Sequence, residues 1–305
     1  MSEGILLPGQ GAQFEGMGRE WAEAFEPARQ TFTEADEVLG FSLSEACWSS
    51  GDEVNRTDIA QPGIFTTSVA ILRVLESQGL DLSAAPVCAG LSLGEYTALW
   101  AAGSLDFADG LRLVRLRGEA MQDASEACPS SMVSLMGADE AKATELAALG
   151  ASHGICSVAN LNAPGQVVVS GELAALDAVE AAAKEHGVRR AVRLTVAGGF
   201  HSECMRPAAE RLAVALEEVE LRAPRTVFLS NVNGGPVEDP EVVRAQLAQQ
   251  VCAPVRWEQS MRWALEAGFR TFLEPGPGTV LAGLMKKIDR EVTVRSAATP
   301  ADLEG

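Results

Sequence analysis

The sequence predicts an α/β fold in two parts: a large domain with a parallel sheet, and a small domain inserted into it. Three observations predict it. A strand turns sharply into a helix around a serine at Gly90-Leu91-Ser92-Leu93-Gly94, the nucleophile elbow of α/β-hydrolase-like sheets. Short apolar runs bounded by Gly and Pro alternate with helical stretches. Between two such regions, Ser131 to Val196 reads β-α-β-β-α-β, the order of a ferredoxin-like unit. Residues 1–128 and 198–305 are therefore expected to form the α/β-hydrolase-like domain and 129–197 the ferredoxin-like one, with a cleft between them.

The elements follow in order. Gly4-Ile5-Leu6-Leu7 is a short strand, and Pro8-Gly9-Gln10-Gly11-Ala12-Gln13 is a loop built for close backbone approach. Residues 19–39 read as one helix. Asp58 to Pro62 leads into a second, Ile64 to Gln78. Pro86 to Ala89 is the buried strand before the elbow, and Tyr96 to Ala102 the helix after it, closed by Gly103. A long helix starts at Asp106. In the small domain, strands are expected at 132–136, 155–159, 166–170 and 190–196, with helices at 139–148 and 172–186. The chain then returns through Gly198-Gly199-Phe200-His201. Val227 to Ser230 is a strand, Asn231 to Gly234 a turn, and Val243 to Gln250 a helix, with a further element from Pro254. Thr271 to Glu274 is the last core strand, a helix runs through Lys287, and the last ten residues read as a loose tail.

Composition narrows the class. The 305 residues are 47% hydrophobic, enough for a sizeable core. Against 42 acidic residues stand 24 basic ones, a formal charge of −18, which argues against nucleic acid as a partner. No apolar run of membrane-spanning length occurs, nor a basic segment followed by an apolar run. The six cysteines are widely spaced without a Cys-x-x-Cys pair, so they read as free thiols rather than disulfides or a metal site. The expectation is a soluble cytoplasmic protein with no metal, no cofactor and no membrane partner.

Three residues carry the chemistry. Gly90 and Gly94 let strand and helix crowd together, so that Ser92 can hold a strained backbone and project its hydroxyl. The free N–H groups at the helix start can stabilise an oxyanion. The plainer alternative is a serine capping a packed turn. A serine nucleophile needs a base, and there are only three histidines. His186 lies at a helix end and His153 in a small-domain loop, so His201, after a Gly pair at the domain junction, is the candidate. On the long helix, Leu113, Val114, Ala120 and Met121 form an apolar stripe with Arg117 near its middle. Arg112 and Arg115 point away from it, towards water. A buried guanidinium needs an anion, either a protein carboxylate or a ligand.

Assembled, these residues resemble the malonyl-CoA:acyl carrier protein transacylases of fatty acid synthesis and the related acyltransferase domains of polyketide synthases. The likeness is collinear over nearly the whole chain. Pro8 to Gln13 resembles the family's PGQGSQ loop, with Ala12 in place of Ser, and Gly90 to Tyr96 its GHSLGEY elbow. Arg117, Gly118 and Met121 resemble its RGxxM segment, Asn160 to Gln166 a small-domain loop, and Gly198 to Ser202 its GAFHS motif. Gln250 with Pro254-Val255-Arg256-Trp257, and Glu274 to Gly278, match two more segments.

The resemblance implies ping-pong transfer of malonyl from malonyl-CoA to the phosphopantetheine thiol of holo-acyl carrier protein. Ser92 is then the nucleophile, His201 the base, the N–H groups of Gln10 and Leu93 the oxyanion hole, and Arg117 the clamp on the malonyl carboxylate. It also implies that a backbone carbonyl near Gln250 orients the histidine. One departure stands out: Leu91 replaces the family's His beside the nucleophile, which throws carboxylate binding onto Arg117. Phe200 accompanies malonyl in the related polyketide domains, where smaller residues accompany methylmalonyl. Carrier proteins are acidic, so a local basic patch is expected to dock one, either Arg189, Arg190 and Arg193 or Lys286 and Lys287. Rival readings are a serine thioesterase or other hydrolase, a trans-acting polyketide acyltransferase, and a non-catalytic docking module.

Overall fold

In the computed structural model, which describes residues 3–303, the chain begins with β1 (Gly4–Leu7), α1 (Arg19–Ala24), α2 (Glu26–Leu39), α3 (Leu43–Trp48) and α4 (Thr57–Ser77). The elbow joins β2 (Val87–Gly90) to α5 (Gly94–Ala101), and α6 (Phe107–Ala127) leads to the second sheet. That part comprises β3 (Ser130–Met136), α7 (Glu140–Gly150), β4 (Cys156–Ala163), β5 (Gln166–Glu172), α8 (Leu173–Ala183) and β6 (Arg190–Arg193). The return runs through α9 (Arg206–Glu217), β7 (Val227–Ser230), β8 (Gly235–Pro236), α10 (Pro240–Gln250) and α11 (Trp257–Glu266). It ends with β9 (Thr271–Pro275), α12 (Val280–Ile288) and β10 (Thr293–Ala297).

Two sheets result. The first has the order β10-β9-β1-β2-β7-β8, parallel throughout except for β8. Its central strands β1 and β2 are short apolar runs buried on both faces, as parallel sheets covered by helices require. The second has the order β4-β5-β3-β6 and is antiparallel, the ferredoxin-like arrangement. Its own core packs Val133, Leu135 and Val169 against Leu146, Leu176 and Val179 of α7 and α8.

Several sequence expectations are corrected. The helix expected over 19–39 breaks at Phe25, whose backbone is extended. Pro27, two residues on, has no N–H to give to a continuing ladder and sits instead in the first turn of α2. Conversely, α4 starts at Thr57 and carries Pro62 inside it. Proline deprives the Asp58 carbonyl of its helical donor, and Arg115 Nη1 supplies one at 2.6 Å. Arg115 also pairs with the Asp58 carboxylate at 3.1 Å and with Glu119 at 2.7 Å. It therefore spans α6 and α4 instead of pointing into water.

The other corrections concern ends. β4 runs on through Asn160–Ala163, where a loop was expected, by means of register shifts at Val158/Asn160 and Leu161/Ala163. α8 and β6 stop sooner than expected, at Ala183 and Arg193. The supposed tail, residues 296–305, begins with the last two residues of an edge strand, β10, and Ala298 accepts a hydrogen bond from Trp21 Nε1 at 3.0 Å. Residues 304 and 305, the end of that tail, lie outside the described residues.

Candidate active site

Ser92 stands between β2 and α5 with φ of +52°, a left-handed conformation unusual for a residue with a Cβ. Its neighbours impose it. A Cβ on Gly90 would run into the Gly94 carbonyl, and one on Gly94 into the Leu7 carbonyl. Leu91 N–H donates to Leu7 O at 3.0 Å. On the other flank, Asn231, just after β7, accepts Ser92 N–H on Oδ1 at 2.6 Å and donates Nδ2 to Gly90 O at 2.7 Å. Both strands beside β2 thus fix the turn.

The Ser92 hydroxyl lies 2.8 Å from His201 Nε2. His201 Nδ1 lies 2.8 Å from the Gln250 backbone oxygen at the end of α10. A carbonyl can only accept, so Nδ1 carries the proton and Nε2 presents a lone pair to the serine. Among the described residues no carboxylate takes part in this orientation. His201 is 4% exposed, and its burial together with the Arg117 charge pushes its pKa down to about 4. The imidazole is neutral near neutral pH, the state of a general base.

Arg117, on α6, is 1% exposed. Gly118 beside it leaves no Cβ against the Thr57 and Asp58 backbone, so α6 and α4 close together. The guanidinium donates from Nη1 to Gln61 Oε1 at 2.6 Å, and from Nη2 to Gln250 Oε1 at 2.8 Å and Ser92 Oγ at 3.0 Å. Its carbon lies 5.8 Å from the Tyr96 ring centre. Nε is buried without a partner, and among the described residues the guanidinium bonds only uncharged oxygens. Of the two anions left open by the sequence, a protein carboxylate does not bond it directly among the described residues; Glu95 acts on it only through space, from behind Gln250. Burial pulls the Arg117 pKa down, and a ligand carboxylate is what the cation lacks.

The loop after β1 comes to the same place. A Cβ on Gly9 would strike Leu91 O, and Gln10 lines the cleft with Ser92. Among the described residues, the backbone N–H groups of Gln10 and Leu93 donate to no acceptor, so both can receive an oxyanion. The cleft has a volume of about 950 Å³. Leu91, Arg117, Phe200 and His201 form one wall, and the second sheet supplies Asn160, Asn162 and Gln166 opposite. The β4–β5 hairpin is two-sided. Its alternate residues Leu161, Ala163 and Val167 line a separate cavity of about 660 Å³ on its far side.

Each sequence-derived site residue, Ser92, His201, Gln250, Gln10, Leu93 and Arg117, is therefore in this one region. Three residues were missed. Gln61 holds Arg117, Asn231 holds the elbow, and Glu95, 1% exposed, bonds Asn231 and Gln250. The signal for Glu95 was an acid opening an otherwise apolar helix. Of the docking candidates, Arg193 is tied to Glu180 and Asp177 and Lys287 to Gln166. Arg189, Arg190 and Lys286 are exposed.

Comparison with known proteins gives one family. The family described as "Acyl transferase domain" matches residues 6–300. The malonyl CoA-acyl carrier protein transacylase of Bacillus subtilis is 38% identical over 98% of this chain and 94% of its own length. The crystal structure of the acyl-carrier-protein-S-malonyltransferase of Bartonella henselae superposes with a TM-score of 0.95 at 38% identity, covering 100% of this chain and 98% of that one. A malonyl-transacylase solved in complex with its type II PKS acyl-carrier protein gives a TM-score of 0.94 at 37% identity, over 100% and 98% of the two chains.

Proposed function

The chain belongs to the acyl transferase domain family, and from that premise we propose that Ser92 carries malonyl between two thiols, with His201 as its base. The protein is an acyltransferase. It moves the malonyl group of malonyl-CoA to the phosphopantetheine thiol of holo-acyl carrier protein, the supply of extender units for fatty acid synthesis. The reading includes a cytoplasmic location, supported by free cysteines throughout. Among the described residues no helix is long and apolar enough to cross a membrane.

His201 Nε2 takes the proton as Ser92 Oγ attacks the thioester carbonyl. Arg117 Nη2, already on Oγ at 3.0 Å, eases the charge that develops there. The N–H groups of Gln10 and Leu93 receive the oxyanion. When the intermediate collapses, the C–S bond breaks and the imidazolium returns its proton to the CoA sulfur. The carrier thiol then repeats the steps in reverse: it loses its proton to His201, attacks the malonyl-Ser92 ester, and Oγ leaves with that proton. Throughout, Arg117 holds the malonyl carboxylate.

The observation that carries this reading is a buried guanidinium bonded, among the described residues, to no carboxylate and in contact with the serine hydroxyl. Intact mass after brief exposure to malonyl-CoA tests it. A malonyl adduct, absent in Ser92→Ala, is expected. Free malonate accumulating with no adduct would make the protein a hydrolase instead. A trans-acting role in polyketide synthesis uses the same residues and is favoured by the likeness to the transacylase solved with its type II PKS carrier.

A further inference from the structure

Arg117 is held by uncharged oxygens, and what holds those oxygens decides where the guanidinium points. A glutamine side chain can turn either its oxygen or its NH2 towards a neighbour, and only the oxygen suits a cation. Gln61 Nε2 makes only long contacts, 3.4 Å each, to Gln10 Oε1 and Met121 Sδ. Gln250 Nε2 is bound more tightly, to Ser92 O at 2.9 Å and to Glu95 Oε2. The other Glu95 oxygen accepts Asn231 N–H at 3.0 Å. The carboxylate thus accepts from two fixed donors at once, one on each oxygen.

We infer that Glu95 is a positioning residue for acyl selectivity: it locks the Gln250 amide with Oε1 towards Arg117, aiming the guanidinium at the acyl carboxylate without neutralising it. The inference rests on the reading of Arg117 as the carboxylate clamp. A carboxylate placed directly on Arg117 would compete with the substrate; one placed behind an amide orients the cation and leaves its charge available. A glutamine at position 95 has one acceptor for two donors. Its NH2 would face either Asn231 N–H or Gln250 NH2, and relief comes by turning Gln250 over, which puts an NH2 against Arg117.

The ionisation of Glu95 enters as well. Burial pushes its carboxyl up to about 7, against the opposing pull of Asn231, Gln250, Ser230 and the Arg117 charge. Facing it are Arg117 from α6, Asn231 and Ser230 from the end of β7, and Gln250 from α10; Tyr96, on its own helix, is neutral, its pKa pushed well up by burial. A proton on Glu95 removes one acceptor, as glutamine does. The other titrating group of the site, His201, changes charge only at about 4.

The experiment compares the rates of Ser92 loading from malonyl-CoA and acetyl-CoA, by intact mass. Glu95→Gln is expected to lower the malonyl-over-acetyl ratio about tenfold, mainly through the malonyl-CoA KM, the size expected for one charged hydrogen bond. In the wild type the ratio is expected to fall as pH drops through about 7, a dependence a merely structural carboxylate would not impose. A folded Glu95→Gln protein with an unchanged ratio overturns the inference. Should that variant not fold, a wild-type ratio that stays flat with pH overturns it. Failure of the wild type to load malonyl at all would sink the clamp reading, a separate result.

Discussion

Ser92 and His201 are the two non-glycine residues with positive φ among the described residues, at +52° and +60°, and their side chains meet at 2.8 Å. Each strained backbone costs on the order of 1–3 kcal/mol. Both lie at element junctions, one at the end of β2 and the other after the Gly198-Gly199 pair, where surrounding packing and hydrogen bonds hold the strain. The pair is thus positioned before any substrate arrives.

The depressed His201 pKa sets the pH profile. The base works only when neutral, so kcat/KM for malonyl loading should be unaffected by His201 above about pH 5 and drop about tenfold per unit below about 4. The linkage has the same sign. A histidine whose folded pKa falls from 6.5 to about 4 takes up protons on unfolding, so stability declines as pH falls between those values, by roughly 3 kcal/mol in all. Loading rates and urea midpoints across that range check both.

Arg117→Ala should lower malonyl loading at least about a hundredfold while leaving acetyl loading less affected, since only the first uses a charged contact. Single-turnover loading from the two thioesters measures it. Equal losses would mean that Arg117 serves Ser92 alone.

Phe200, 6% exposed, closes part of the cleft wall next to His201. Phe200→Ser should open space there and raise methylmalonyl loading relative to malonyl by about tenfold, the worth of one or two methylene-sized contacts. Competition between the two CoA esters, read by intact mass, decides it.

Carrier-protein docking separates the arginines. Arg189→Glu or Arg190→Glu should raise the carrier-protein KM several-fold through lost electrostatic attraction and leave malonyl-CoA loading unchanged. Arg193→Glu should raise it less, because Glu180 and Asp177 already occupy that guanidinium. Equal effects at all three would remove the distinction.

The parts of this site legible in the sequence were those written locally. The elbow needs two glycines within five residues, and the Arg117 stripe repeats along one helix. What was not legible depends on partners far apart in the chain. Asn231 reaches Ser92 across 139 positions, and Gln250 reaches Glu95 across 155, with no periodicity to announce either. Pro62 and Arg115 show the same limit. A proline within a helix reads as a boundary until an arginine 57 residues from Asp58 is seen to take up the freed carbonyl. β10 escaped because an edge strand, half exposed and carrying Arg295, lacks the apolar run that marks β1 or β2.

The two-sided β4–β5 hairpin has a consequence for how this protein can diverge. Asn160, Asn162 and Gln166 face the substrate while Leu161, Ala163 and Val167 face away, and a strand inverts its faces with every single-residue shift. Point substitutions can retune the polar wall one side chain at a time. A length change of one residue would instead swap the wall for its apolar reverse. Tolerated changes of length within the hairpin strands are therefore expected in even steps, and an odd step would have to be absorbed by moving the bulges at Val158/Asn160 and Leu161/Ala163.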